Sequence, residues 1–173
     1  MALPRASGDQ DDAIEWSETR RLSWPDFKAK PPSGQLVGAR SALGFGYSVG
    51  CRDGQLHARV VARFHPDKSW VGYRIISSGL ASRVGLQHEQ THFDLAEVYA
   101  RRIRQFFRQL KDPCPRSDAE LERLADRLFR DESAAQRRYD TETESGQRGD
   151  RQEKWDKDVA QQLAELAAFV DGK

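Results

Sequence analysis

No apolar run in the chain approaches the ~20 residues needed to cross a bilayer, so no membrane-spanning helix is expected. Surplus charge is nearly absent as well. Lysine and arginine number 28 against 27 acids, a net charge of +1, which excludes a strong global field for drawing in nucleic acid or an anionic membrane. The arginines are balanced locally by acids, as in "ELERLADRLFRDE", which reads as solvated helix surface. Cysteine is scarce: Cys51 in "VGCRDG" and Cys114 in "KDPCPRS" lack the neighbours of a nucleophile or of a cysteine-rich metal site. Both sit in turn-like settings, where they either form a disulfide worth about 4 kcal/mol by the loop it closes, or stay as two thiols. No apolar stretch occurs in "MALPRASGDQDDAIE", so no signal peptide is read there. Internal repeats and low-complexity tracts are missing too.

What remains is a chain of 173 residues, 38% of them apolar, the size of one domain that can bury a core. Residues 1–14 are polar and glycine-containing and are expected to be disordered, leaving residues 15–173 as a single domain. Trp24 and Phe27 are expected anchors ahead of a stiff Pro31-Pro32 connector. The chain reads as strand from Val37 to Ser48. In "LHARVVARF" the strand is clearer, with Leu56, Ala58, Val60, Ala62 and Phe64 alternating with His57, Arg59, Val61 and Arg63. Between them "RDG" gives the Asp-Gly signal of a tight hairpin.

After Gly85 the apolar period changes from 2 to 3.6. Leu95, Tyr99, Ile103, Phe106 and Leu110 share a stripe with His88 and His92, with Asp94, Arg101, Gln105 and Arg108 opposite. A second helix opens at Ser117 with Glu120 in the capping-box position, and buries Leu121, Leu124, Leu128 and Tyr139. "ESGQRGD" breaks it. A third helix carries Trp155, Val159, Leu163, Leu166 and Val170 to the C-terminus. The fold class expected is α+β, an N-terminal antiparallel sheet followed by three helices.

The chemistry centres on "LQHEQTHFDLAE". His88 and His92 stand one helical turn apart, so both imidazoles can point at one ion, and Glu89 lies about 100° round from His88, within reach of a bound water. The bland alternative is two polar residues sharing a helix face. That arrangement would bury unpaired imidazoles on an apolar stripe, a cost that a metal relieves. A third ligand must come from another element. Glu97 falls about 180° and Asp94 about 240° round the helix from His88, and both read as surface residues, Glu97 paired with Arg101. Glu132, on the apolar stripe of the second helix, and Asp140, at its end, are the two candidates. Glu132 has its own alternative as an end-of-helix acid paired with an arginine.

"EWSETRRLSWPDFKAKPP", "KSWV", "HEQTHFDLAEVYARRIR" and "YDTETESGQRGDRQEKW" together resemble a bacterial domain family of unknown function labelled as predicted secreted zinc-dependent proteases and grouped with the gluzincin-like metallopeptidases. The resemblance runs from Glu15 to about Val159. Its most specific stretch is H-E-Q-x-H-F-D-[IL]-x-E-x-x-A-R, matched by His88, Glu89, Gln90, His92, Phe93, Asp94, Leu95, Glu97, Ala100 and Arg101. A second signature, Y-D-x-x-T-x-H-G followed by Q and W, is matched by Tyr139, Asp140, Thr143, Gly146, Gln152 and Trp155. Ser145 stands where that family has histidine.

The resemblance implies a zincin-like fold and a Zn2+ ion on His88, His92 and Asp140. It also implies Glu89 as general base and Tyr139 as phenol donor to a developing oxyanion. Ser145 implies a weakened or altered site, hence an alternative reading as an inactive binding module. Export to the periplasm or outside the cell is also implied, with a leader removed, in agreement with a Cys51–Cys114 bond. The partner implied is a peptide or protein substrate, with no nucleic acid and no membrane insertion. By analogy of fold, an edge strand within "ARFHPDKSW" is expected to hold the peptide, with His65 as an extra donor.

Overall fold

The computed structural model describes residues 12–77 and 79–170. The fold is α+β, with an antiparallel sheet followed by helices. Strands β1 (Ile14–Glu15), β3 (Leu43–Arg52) and β4 (Gln55–Phe64) form one sheet in the order β1-β4-β3. The β3–β4 hairpin is closed by Asp53 at φ 52° and Gly54 at φ 76°. Two consecutive positive φ values match the turn to the right-handed twist of the strands, which is why Asp-Gly marks it. The register runs from Arg52↔Gln55 to Leu43↔Phe64. Val60, Ala62 and Phe64 are fully buried, as the alternation requires. Residues 1–11 lie outside those described; of the segment expected to be disordered, Ile14 pairs with Phe64.

The strand expected from Val37 to Ser48 divides in two. β2 (Ala39–Arg40) leaves the main sheet and pairs with β5 (Trp70–Val71). Side chains hold the chain between β2 and β3. The Ser41 N–H donates to Glu89 Oε2 at 2.8 Å and the Ala42 N–H donates to Ser69 Oγ at 2.9 Å. Ser69 Oγ in turn donates to the His65 carbonyl. The expected peptide-binding edge in "ARFHPDKSW" is not an edge. Ala62–Phe64 belong to the central strand, flanked by β1 and β3, and Trp70 is bonded to β2 and bridged to Ala29.

Among the described residues four helices follow rather than three. The extra one is the single turn α1 (Tyr73–Ile76). Helix α2 (Gly79–Gln109) begins ahead of Gly85. Helix α3 (Asp118–Thr143) opens with the expected capping box, Ser117 Oγ accepting from the Glu120 N–H and Glu120 Oε2 accepting from the Ser117 N–H. Its core stripe passes through Leu121, Ala125 and Glu132, which leaves Leu124 on the shoulder, 41% exposed. Helix α4 (Gly149–Glu165) stops short of Val170. Arginines of α2 take carbonyls in its last turn and past its end: Arg101 that of Leu163, Arg104 that of Phe169 and Arg108 that of Ala168.

The long helix α2 is the axis of the fold. Phe93, Ala96, Ala100, Ile103 and Phe107 pack against Val60, Ala62, Phe64 and Leu121. Leu95, Val98 and Tyr99 pack against Tyr139, Trp155 and Val159. Phe27 sits edge-on to Phe64 with ring centres 5.0 Å apart, as an anchor should. Cover on several sides changes the status of Glu97 and Arg101. Read as surface partners, they are 4% exposed, and Glu97 Oε1 accepts from Arg101 Nε at 3.0 Å and also from Arg104.

Cys51, at the end of β3, is bonded to Cys114 in the α2–α3 turn, 63 residues away. A loop of that length constrains the unfolded chain by about 4 kcal/mol. Urea denaturation of a Cys51→Ser/Cys114→Ser variant should therefore show unfolding free energy lowered by about that amount, with the midpoint at lower urea and the slope raised as the released unfolded chain expands. A disulfide is compatible with an extracellular location. Among the described residues no helix is long and apolar enough to cross a membrane.

Candidate metal centre

Helix periodicity places His88 and His92 one above the other on α2, and the last turn of α3 brings Asp140 to both. His88 Nε2 lies 3.1 Å from His92 Nε2 and 3.1 Å from Asp140 Oδ1, and His92 Nε2 lies 3.0 Å from the same oxygen. His88 is buried, and the Asp140 side chain is 47% exposed, so the cluster opens on one side. That side is a cavity of about 480 Å³ lined by Arg40, Ser41, Glu89, Glu132, Gln136 and Ser145 among others.

The far side of each ring fixes its tautomer. Gln152 Oε1 lies 3.1 Å from His88 Nδ1, and Gln136 Oε1 lies 2.6 Å from His92 Nδ1. Neither amide is free to turn. Gln152 Nε2 donates to Asp156 Oδ1 at 2.7 Å, and Gln136 Nε2 donates to Glu132 Oε1 at 2.8 Å and to the His92 carbonyl at 3.0 Å. A carboxylate or carbonyl only accepts, so each glutamine must present its oxygen to the imidazole, and each Nδ1 must carry the hydrogen. The Nε2 lone pairs then face a carboxylate oxygen and each other.

Three acceptors within 3.1 Å of one another call for a proton or a metal ion between them. The electrostatics agree. Burial opposes a charge on His92, but Asp140, Glu89 and Gln136 outweigh it and raise its pKa. Burial likewise works against ionised Asp140, yet the two imidazoles hold its carboxyl well below the usual carboxylate range. His88, His92 and Asp140 form a group that can hold a metal ion. Two imidazole nitrogens and one carboxylate oxygen are donors that suit a divalent transition metal, and the hydrogen-bonded second ring nitrogens are what such ligands need.

Gly146 makes the approach of α3 possible. Glu144, Ser145 and Gly146 have φ of 49°, 52° and 82°, turning the chain sharply after the helix. A Cβ on Gly146 would stand 3.1 Å from His88 Cγ.

The expected residues separate into distinct positions. Glu89 lines the cavity, with Oε2 held by the Ser41 N–H at 2.8 Å. Glu132 lines it too but is bonded to Gln136, outside the His88–His92–Asp140 triangle, and burial pushes its carboxyl pKa up. Tyr139 does not line the cavity. It is fully buried, its hydroxyl donates to Gln152 Oε1 at 2.8 Å and to the His88 carbonyl at 3.2 Å, and its ring stacks on His88 at 4.7 Å. Its part is to position His88. Neither His65 nor Asp94 lines the cavity; Asp94 Oδ1 accepts from Trp16 Nε1 and Gln90 Nε2. Sequence reasoning missed the two glutamine–carboxylate supports. Their signal is the spacing Glu132/Gln136 and Gln152/Asp156, polar pairs four apart on faces otherwise turned to α2.

Residues 82–148 match the model of a family described as bacterial protein of unknown function (DUF922). That stretch contains His88, Glu89, His92 and Asp140 and ends before Gln152 and Asp156. No curated protein and no solved structure matches the chain.

Proposed function

We propose that the chain is a zinc-dependent hydrolase of amide bonds, a metallopeptidase with His88, His92 and Asp140 as ligands and Glu89 as general base. The observation that carries this reading is the meeting of the three donor atoms within 3.1 Å beside a cavity that Glu89 also lines. Bound there, zinc would supply a Lewis acid and lower the pKa of water towards 7. Ser41 fixes one oxygen of Glu89, and the other takes no hydrogen bond from a described residue. That oxygen accepts a proton from the attacking water and returns it to the leaving amine. Arg40 lines the cavity and offers a positive charge to the carbonyl oxygen as it becomes anionic. Among the described residues β2 is bonded along one edge, to β5, and residues 38–41 line the cavity. An extended peptide adds along the other edge by backbone hydrogen bonds. The disulfide fits work outside the cytoplasm.

A second reading, a metal-binding module without turnover, is favoured by Ser145. It lines the cavity while Tyr139 does not, so neither a phenol nor a further imidazole faces the reacting carbonyl. Metal-replete protein incubated with a mixed peptide library separates the two. The hydrolase reading expects cleavage that a chelator abolishes and zinc restores. Full zinc occupancy with every peptide intact would leave the binding module.

A further inference from the structure

The chain is close to neutral as a whole, but one face is not. Leu36, Val37, Tyr73, Ile76, Leu80 and Val84 are all exposed, Tyr73 by 73% and Leu80 by 69%. They form one patch. The Gly72 N–H donates to the Gly38 carbonyl and the Arg74 N–H to the Leu36 carbonyl, so the turn holding Leu36 and Val37 lies against the start of α1. On α1, Ile75 turns inward to the metal cavity while Tyr73 and Ile76 stay exposed, and Leu80 and Val84 follow one turn apart at the start of α2.

The exposed charges carried within it have a single sign. Arg74 and Arg83 stand among its apolar residues and Lys30 precedes Leu36, all three exposed, and neither residues 27–41 nor residues 68–84 contain an acid. In a chain with 27 acids among 173 residues, that is a local segregation of charge. The carboxylates of the adjoining cavity do not offset it at the surface, since Glu89 is buried on Ser41 and Asp140 is engaged by the imidazoles.

We propose that this face adsorbs to an anionic lipid surface. The exposed apolar side chains enter the headgroup region and Lys30, Arg74 and Arg83 pair with acidic headgroups, which places the mouth of the metal cavity at the lipid–water interface. An apolar patch carrying exposed charge of one sign fits such a surface by charge complementarity; a second copy of the chain would set like charges against each other. The attachment is peripheral, since no described helix can span a bilayer. It rests on the surface alone and holds whatever the cavity does.

Co-sedimentation tests it, using vesicles of phosphatidylcholine alone and of phosphatidylcholine mixed with phosphatidylglycerol. The unaltered protein should bind the mixed vesicles at least about tenfold more tightly than the neutral ones, and added salt should weaken the binding. Tyr73→Ser/Leu80→Ser and Arg74→Ser/Arg83→Ser should each lose about tenfold or more. All four positions are exposed, and an unchanged melting curve would show that the fold persists. The proposal is overturned if the unaltered protein stays in solution with mixed vesicles, or if both variants bind them as well as it does. It is also overturned if sedimentation velocity finds a dimer that Leu80→Ser dissociates, or if the variants change only the KM for peptides, which would make the patch part of a substrate groove.

Discussion

Glu89→Gln should leave the metal bound and lower peptide hydrolysis by roughly 10²- to 10⁴-fold, the usual contribution of a general base. The substitution keeps volume and shape. An amide oxygen still accepts the Ser41 N–H that now goes to Glu89 Oε2, so the link between β2, β3 and α2 survives. His88, His92 and Asp140 are untouched, and zinc per chain should stay at the unaltered level. Only the ability to take a proton is lost. Steady-state kcat/KM measured beside elemental analysis separates the outcomes: activity gone with zinc retained supports the base, whereas unchanged kcat/KM on every peptide cleaved removes Glu89 from the chemistry.

A large loss of stability is expected away from that cavity, at Glu97→Ala. Glu97 is 4% exposed and neutralises two guanidinium groups, Arg101 and Arg104, which are 4% and 5% exposed. Removing the acid leaves two buried cations facing each other with one carboxylate gone. Such a break costs about 3–5 kcal/mol, a large part of the 5–15 kcal/mol that holds a typical domain folded. Guanidinium chloride denaturation should show the midpoint falling accordingly. A cost below about 1 kcal/mol, the range of a surface pair, would mean that water reaches these groups in solution.

The same three residues mark where sequence pattern stops being informative. Glu97 and Arg101, four apart on a helix, look like an exposed pair, and nothing local says that the sheet and α4 cover that side of α2. The strand alternation in β4, the Asp-Gly hairpin and the Ser117 capping box were readable because each depends on residues within a few positions of one another. The division of residues 37–48 into β2 and β3 was not, since it depends on Ser69 and Glu89 capturing backbone N–H groups from distant parts of the chain. At the metal centre the one-turn spacing of His88 and His92 was legible. The orientation of Tyr139 was not, because a phenol on an apolar stripe can turn its hydroxyl towards either a cavity or a neighbouring helix, and here Gln152 on α4 takes it.

Anomalous diffraction from crystals grown with zinc, recorded on either side of the zinc absorption edge, tests the metal centre most directly. The expected result is a single strong peak about 2.0–2.2 Å from His88 Nε2, His92 Nε2 and a carboxylate oxygen of Asp140. A map with no peak there, with the two rings turned apart or joined to Asp140 through protons alone, would contradict it.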